Sequence, residues 1–269
     1  MQVISSKENS IIKNIKKLKE KKYRDIYNLY IVEGIKMIQE AIKENVNIKQ
    51  IIICDDCEKM SNIPKDMMYE IAKYDCIYVT QKIFESLTDV KSPQGVLAII
   101  ERNICSVEDT EITDQVDLKQ NLILALDDIQ DPGNLGTILR TADSVGLNQI
   151  IISKGTADVY NPKVVRSTMG AIYRVKIIEC EDLEKQLKKI KKHKFEIIVT
   201  SLQTENSIFD IDYNKKIIVI GNESNGVRKN IQDIADKKVK IPMIGKTESL
   251  NASVATGIIL YEYVRQSLK

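Results

Sequence analysis

Apolar positions along the chain follow two periods that take turns. Ile11, Ile12, Ile15 and Leu18 recur at helical spacing and predict a basic helix over Ser6 to Tyr23, with Ser6 or Asn9 as its cap. Tyr30 to Val32 then predicts a strand, Ile35 to Lys43 a helix, Ile48 to Cys54 a β-branched strand and Met67 to Tyr74 a helix. Cys76 to Thr80 continues as a strand and Gln81 to Thr88 as a short helix. Ser92-Pro93-Gln94-Gly95 turns the chain into a further strand, Val96 to Ile100. This alternation predicts a small α/β domain over residues 1–101.

From Arg102 to Gln120 the periodicity lapses among Glu108, Asp109, Glu111, Asp114 and Asp117, and the stretch 102–120 is expected to be a linker. A second alternation fills residues 121–269. Strands are predicted at Leu122–Leu126, Ile150–Ser153, Val175–Ile178, Glu196–Thr200, Ile217–Ile220 and Val239–Ile241. Between and after them, helices are predicted at Asn134–Val145, Pro162–Met169, Leu183–Lys192, Asn230–Ala235 and Ala252–Gln266. Strands joined by helical crossovers imply a mostly parallel sheet covered on both faces. No internal repeat is present.

With 43% apolar and 29% charged residues, the chain can form soluble cores without staples. Five scattered cysteines, an odd number, argue against a disulfide framework and for a reducing compartment. No apolar run reaches membrane-spanning length and the N-terminus lacks a signal-peptide core, so a cytoplasmic protein without membrane association is expected. Net charge is +2, too small to declare a nucleic-acid partner, but the lysines are unevenly spread. Lys13, Lys16, Lys17, Lys19, Lys21, Lys22 and Arg24 form one cluster, and Lys185, Lys188, Lys189, Lys191, Lys192 and Lys194 another. Such runs can track phosphates, or simply form solvated helix faces.

Three constellations carry candidate chemistry. The first, D-D-I-Q-D-P-G-N-L-G at 127–136, leads from a strand end into a helix, with Arg140 about one and two-thirds turns beyond Asn134. A helix N-terminus favours anions, and an arginine near it can grip a phosphate through two parallel hydrogen bonds. A capped helix with one surface arginine accounts for the same residues without a ligand. The second is Gly221-Asn222-Glu223-Ser224-Asn225-Gly226, after an apolar strand. It shares glycines with a dinucleotide fingerprint, but Glu223 stands where the central glycine belongs and would repel a pyrophosphate. A plain turn is the alternative. The third is Ser249-Leu250-Asn251-Ala252-Ser253, where Ser249 or Asn251 would cap the final helix. Cys54-x-x-Cys57 has redox or zinc spacing, but no second Cys or His pair follows, and His193 is the only histidine, so no metal site is expected.

Taken together and in this order, N-L-G-T-I-L-R-T-A-D at 134–143, I-G-N-E-S-N-G at 220–226 and I-P-M…S-L-N-A-S-V-A at 241–255 resemble the SpoU-type RNA ribose 2′-O-methyltransferases of the SPOUT class. The resemblance spans about Leu122 to Gln266. Y-I-V-E-G-I-K-M-I-Q-E-A and S-P-Q-G-V-L-A-I in the N-terminal part look like the family's substrate-binding domain, a small ribosomal-protein-like α/β sandwich. The resemblance implies that the C-terminal domain is an α/β fold with a parallel sheet and a deep trefoil knot, an exception to the rule of unknotted chains. It also implies a cofactor, S-adenosylmethionine, held by Gly221, Ile241 and Leu250 through mostly backbone contacts, with Thr200 and Ser201 nearby. Asn134, Arg140, Glu223, Ser249 and Asn251 match the family's functional positions. By the same resemblance, homodimers would form through the knotted domain, Arg140 completing the partner subunit's pocket.

The expected partner is RNA, ribosomal RNA ahead of transfer RNA because family members with such an N-terminal domain act there. A non-catalytic RNA-binding protein that keeps the fold is the alternative, as is a transfer RNA ribose methyltransferase. A nicotinamide-dependent oxidoreductase is disfavoured because the glycine fingerprint and its downstream acid are missing.

Overall fold

The computed structural model describes residues 3–56, 62–107 and 112–268. Cys57 of the Cys-x-x-Cys spacing and the acidic Glu108, Asp109 and Glu111 lie outside the described residues. The chain divides into two compact units. One holds Met1–Arg102 together with Tyr160–Tyr173, the other Asn103–Val159 with Arg174–Lys269.

In the first unit the elements run β1 (Val3–Ile4), α1 (Ser10–Lys17), α2 (Lys21–Tyr27), β2 (Leu29–Glu33), α3 (Ile35–Lys43), β3 (Ile48–Cys54), α4 (Lys65–Ile71), β4 (Cys76–Val79), α5 (Gln81–Leu87) and β5 (Val96–Glu101). The sheet order is β1-β4-β3-β5-β2. Pairing is parallel across β1, β4 and β3 and antiparallel where β5 meets β3 and β2. Ile12, Ile15 and Leu18 from the α1 region pack with Ile83, Phe84 and Leu87 from α5 against Ile52 and Leu97 of the sheet. The helix expected over Ser6 to Tyr23 is therefore two helices. Asn9 caps the first, its side chain accepting from the Ile11 amide. That helix stops where the buried Arg24 guanidinium takes the Leu18 and Lys19 carbonyls, each at 2.7 Å. A side chain from the next helix thus satisfies carbonyls that a continuing helix would have used.

The second unit runs β6 (Ile104–Val107), β7 (Leu122–Asp127), α6 (Pro132–Ser144), β8 (Gln149–Ser153), then α7 (Pro162–Thr168) within the excursion that belongs to the first unit. It resumes with β9 (Lys176–Cys180), α8 (Leu183–Lys191), β10 (Glu196–Thr200), β11 (Lys216–Gly221), α9 (Lys229–Ile234), β12 (Lys237–Val239) and α10 (Ala252–Ser267). Its sheet has the order β12-β10-β11-β7-β8-β9-β6 and every pair is parallel. All six residues of β7 and all six of β11 are buried, which is why both read as continuous apolar runs rather than alternations. The expected α/β class and parallel sheet are present.

Two expectations need correction here. The stretch 102–120 supplies β6, which pairs with β9 at the sheet edge, and a 3-10 turn at Ile112–Asp114 whose Ile112 is buried in the core. A four-residue edge strand beside an acidic run carries too little periodicity to be recognised. The last strand ends at Val239, leaving Ile241 in irregular chain.

The strand order places the site. From β7 the chain steps outward through β8 and β9, then returns to lay β11 against the other side of β7. The order therefore reverses between β7 and β11, and in open parallel sheets ligands bind beyond the carboxyl ends of the strands at such a point. The last residues of those two strands, Asp127 and Gly221, are register partners.

Candidate active site

Each of the first two constellations leaves one of these central strands. After β7, Asp128 takes a left-handed backbone (φ 58°), which aspartate tolerates, and its carboxylate accepts from the Ser153 hydroxyl at 2.6 Å. The chain then enters α6. Asp131 caps it by accepting from the Asn134 amide at 2.8 Å, and Pro132 fills the first helical position, where no donor is needed.

After β11, the Gly221–Val227 loop folds back on itself. The Asn222 and Gly226 backbones exchange hydrogen bonds of 3.1 and 2.9 Å, and the Asn222 side chain reaches the Asp128 carbonyl at 2.8 Å. A Cβ at Gly221 would lie 2.1 Å from the Gly226 carbonyl carbon and the Val227 nitrogen, so only glycine permits this closure.

The third constellation meets the first two at Asn134. Asn251 caps α10, accepting from the Ser253 and Val254 amides, and its own Nδ2 donates to Asn134 Oδ1 at 2.9 Å. Asn134 Nδ2 in turn donates to Glu223 Oε1 at 3.0 Å. The Glu223 carboxylate also accepts from the Gln130 and Asp131 amides, both at 3.3 Å. Burial pushes the Glu223 carboxyl up, but the hydrogen bonds from Asn134 and from the Gln130 and Asp131 backbone outweigh it and hold the group below its ordinary value. Three separate stretches thus converge on one line, Asn251–Asn134–Glu223, with Asn134 buried at its centre.

The remaining predicted residues are placed differently. Thr200 ends β10 with its hydroxyl on the Val219 carbonyl, and Ser201 follows, its amide bonded to the Val239 carbonyl. Both flank the strand that ends at Gly221. Ile241 and Leu250 are half-buried at the two ends of an irregular stretch. Among the described residues, none of positions 241–250 makes a hydrogen bond, so their backbone donors and acceptors stay available to a ligand. Ser249 is exposed and does not cap α10; that role is Asn251's alone. Arg140 lies on the outward stripe of α6 with Thr137 and Ser144, on a different face from Asn134, and has no ion-pair or hydrogen-bond partner among the described residues.

An ion pair with no local sequence signature sits beneath the Glu223 loop. Asp127 is fully buried and accepts from the Arg228 amide at 2.8 Å and from its Nε at 2.7 Å. It ties the exit of the loop to the strand from which the first constellation leaves. Burial lowers the Arg228 pKa, but the hydrogen bond and charge of Asp127 outweigh it and the net shift is upward. The partners are 101 residues apart, and no local pattern links such distant positions.

The model of the SpoU rRNA methylase family matches residues 121–261, and that of an MRM3-like substrate binding domain matches residues 9–98. The chain is 30% identical over 262 residues to the 23S rRNA (guanosine(2553)-2'-O)-methyltransferase RlmP of Bacillus subtilis, covering 97% of this chain and 98% of that protein. It is 35% identical over 174 residues to the 23S rRNA (guanosine-2'-O-)-methyltransferase RlmB of Bordetella pertussis, covering 64% of this chain and 71% of that one. Among solved structures, an AdoMet-bound rRNA methyltransferase from Sinorhizobium meliloti superposes with a TM-score of 0.85 at 28% identity, over 100% of this chain and 99% of its own. An RNA 2'-O ribose methyltransferase superposes with a TM-score of 0.80 at 26% identity over the whole of both chains. The match to the family model over the unit that carries all three constellations, and the near full-length relationship to RlmP, establish that this chain belongs to the SpoU rRNA methylase family.

Proposed function

We propose that this protein is a cytoplasmic enzyme that transfers a methyl group from S-adenosylmethionine to a ribose 2′-hydroxyl of ribosomal RNA, acting as a homodimer through a knotted C-terminal domain. The observation that carries the reading is the Asn251–Asn134–Glu223 line at the sheet's topological switch point. Ribosomal RNA is supported as the substrate by the near full-length relationship to RlmP. The MRM3-like match over residues 9–98 supports substrate binding by the N-terminal unit.

The chain's own residues fit the cofactor. The unbonded backbone of 241–250 would present donors and acceptors to the cofactor, with the half-buried Ile241 and Leu250 as apolar residues at its two ends. Gly221 closes the loop at the end of the central strand, and Thr200 and Ser201 would supply an adjacent polar rim. S-adenosylmethionine brings its own activated methyl group on a sulfonium, so the protein's task is to position the acceptor hydroxyl and manage its proton.

Glu223 and Asn251 fix Asn134 in one orientation, since its amide nitrogen and oxygen each have a set partner. Ser249, exposed two residues before Asn251, would shape the substrate side. A guanidinium is a poor base, so Arg140 is assigned the role of a phosphate and oxyanion clamp. Facing outward and without a side-chain partner among the described residues, it suits the role of completing a partner subunit's pocket. On the packed α6–α10 pair, Val254 and Tyr261 expose 50% and 56% of their surface along one stripe of α10, which supports burial against a second copy. The knotted path is inferred from membership of the SpoU family.

The test is incubation of the protein with methyl-labelled S-adenosylmethionine and ribosomal RNA lacking the modification, followed by alkaline hydrolysis. Label retained in an alkali-resistant dinucleotide is the expected result. Label on a base, or no transfer, overturns the reading.

A further inference from the structure

We infer that the α1–α2 face of the first unit is a stacking platform for an unpaired nucleotide of RNA, the tyrosines taking the base and the lysines its phosphates. The inference rests on the RNA reading above and adds the face and the mode of contact. Tyr23 and Tyr27 on α2 are stacked, with ring centroids 6.1 Å apart and planes 17° from parallel. Tyr27 keeps 41% of its surface exposed, and Ile26 beside it 60%. Lys17 Nζ lies 5.5 Å and Lys22 Nζ 5.8 Å from the Tyr23 ring centre, so cations border the aromatic pair on the helix before it and on its own helix.

Part of the charge here is left uncompensated among the described residues. Lys13 is paired with Glu8 and Lys19 with Asp89, and Asp25 is taken by Arg102. Lys17, Lys21 and Lys22 have no carboxylate partner among the described residues. In the second basic run Lys188 and Lys191 are engaged by Glu184 and Asp236, and no stacked aromatic pair accompanies the remaining lysines among the described residues. The geometry of the face is also held. The buried Arg24 guanidinium ties the end of α1 to α2 through two carbonyls, so lysines on one helix and tyrosines on the other keep their spacing.

A ring pair whose Tyr27 is exposed and whose Tyr23 is bordered by cations without a carboxylate partner among the described residues suits a single strand, whose bases offer free π-faces next to phosphates. A duplex hides those faces in its own stack and would use only the lysines. A protein partner would be expected to cover Ile26 with apolar surface, and the density of lysines around it opposes that.

The experiment is fluorescence anisotropy of the full-length protein with a labelled oligouridylate and with a blunt RNA duplex of equal length, across a salt series. Base–aromatic stacking predicts that Tyr27→Ala weakens single-strand binding about tenfold with an unchanged salt slope, while Tyr27→Phe binds as wild type. The double variant Lys17→Gln, Lys22→Gln should reduce the single-strand salt slope by about 1.4, and it keeps the test open should Tyr27→Ala disturb α2. Unchanged single-strand affinity in Tyr27→Ala together with an unchanged slope in the lysine variant overturns the platform, and if methyl transfer persists in wild type the enzyme reading stands. Equal losses on single strand and duplex in Tyr27→Ala overturn stacking. Unchanged RNA binding with lost binding to ribosomal particles gives the face to a ribosomal protein and overturns it as well. A wild type that binds neither RNA yet still methylates ribosomal RNA overturns the platform alone, and one that also fails to methylate it overturns the enzyme reading.

Discussion

Asn251, the N-cap of the last helix, donates its side-chain amide to Asn134 at 2.9 Å across 117 residues of sequence. One residue thus ends the irregular stretch 241–250, starts a helix and orients the buried amide that Glu223 holds from the other side. Cap and site share a side chain, and suitable substitutions separate the two.

Asn251→Ala removes both functions and should cost about 1 kcal/mol of stability, the usual worth of an N-cap, along with methyl transfer. Asn251→Asp keeps the capping acceptor and loses the donor to Asn134. Denaturant melts should therefore place Asn251→Asp near wild type while its methyl transfer falls with the alanine variant. Equal activity of Asn251→Asp and wild type would falsify the orienting role.

Glu223 carries a pH prediction. Its folded pKa is lowered, so its favourable contribution is full above the ordinary glutamate value, about 4.3, and fades as the pH falls through the lowered one. Glu223→Gln cannot ionise, so the difference in stability between wild type and this variant should shrink in acid below that range and stay constant above it. Paired melts across the acid range check this; a difference that grows on acidification contradicts it.

The Asp127–Arg228 pair should matter more to stability than its exposed half implies. Arg228→Ala leaves the fully buried Asp127 carboxylate without its guanidinium, and breaking one side of a buried pair costs about 3–5 kcal/mol. Partial exposure of Arg228 places the expected loss at the lower end. The same variant should loosen the Gly221–Val227 loop and weaken S-adenosylhomocysteine binding, which calorimetry reads directly. Wild-type affinity in Arg228→Ala would separate the clamp from the cofactor site.

Arg140→Ala should abolish methyl transfer while cofactor affinity stays nearly unchanged. If the arginine serves the partner's pocket, mixing Arg140→Ala with Asn134→Ala subunits rebuilds one complete pocket per mixed dimer and restores part of the activity. Two inactive homodimers whose mixture stays inactive, despite demonstrated subunit exchange, would place the arginine in its own subunit's site or outside the mechanism.

Much of this site could be read from the sequence because its chemistry sits at strand ends. Asp127, Gly221 and Thr200 each close an apolar run, and runs buried on both faces are the easiest pattern to recognise. What escaped depended on distant partners. The break between α1 and α2 follows from Arg24 reaching back to two carbonyls, while the lysine-rich pattern continues through it unaltered. β6 is held by its pairing with β9, some seventy positions on in the numbering, and not by its own four residues. The choice of Asn251 over Ser249 as cap needed the helix start to within two residues, a finer boundary than periodicity supplies. The excursion Tyr160–Tyr173 reads as ordinary helix, and nothing in its residues reveals that it packs with the first unit.

The most direct measurement is a map of ribose methylations across ribosomal RNA in cells lacking this gene, complemented with wild type or with Asn134→Ala. The account predicts that a 2′-O-methyl mark disappears on deletion, returns with wild type and stays absent with Asn134→Ala. A methylation map that deletion leaves unchanged, or a mark that Asn134→Ala restores in full, would contradict it.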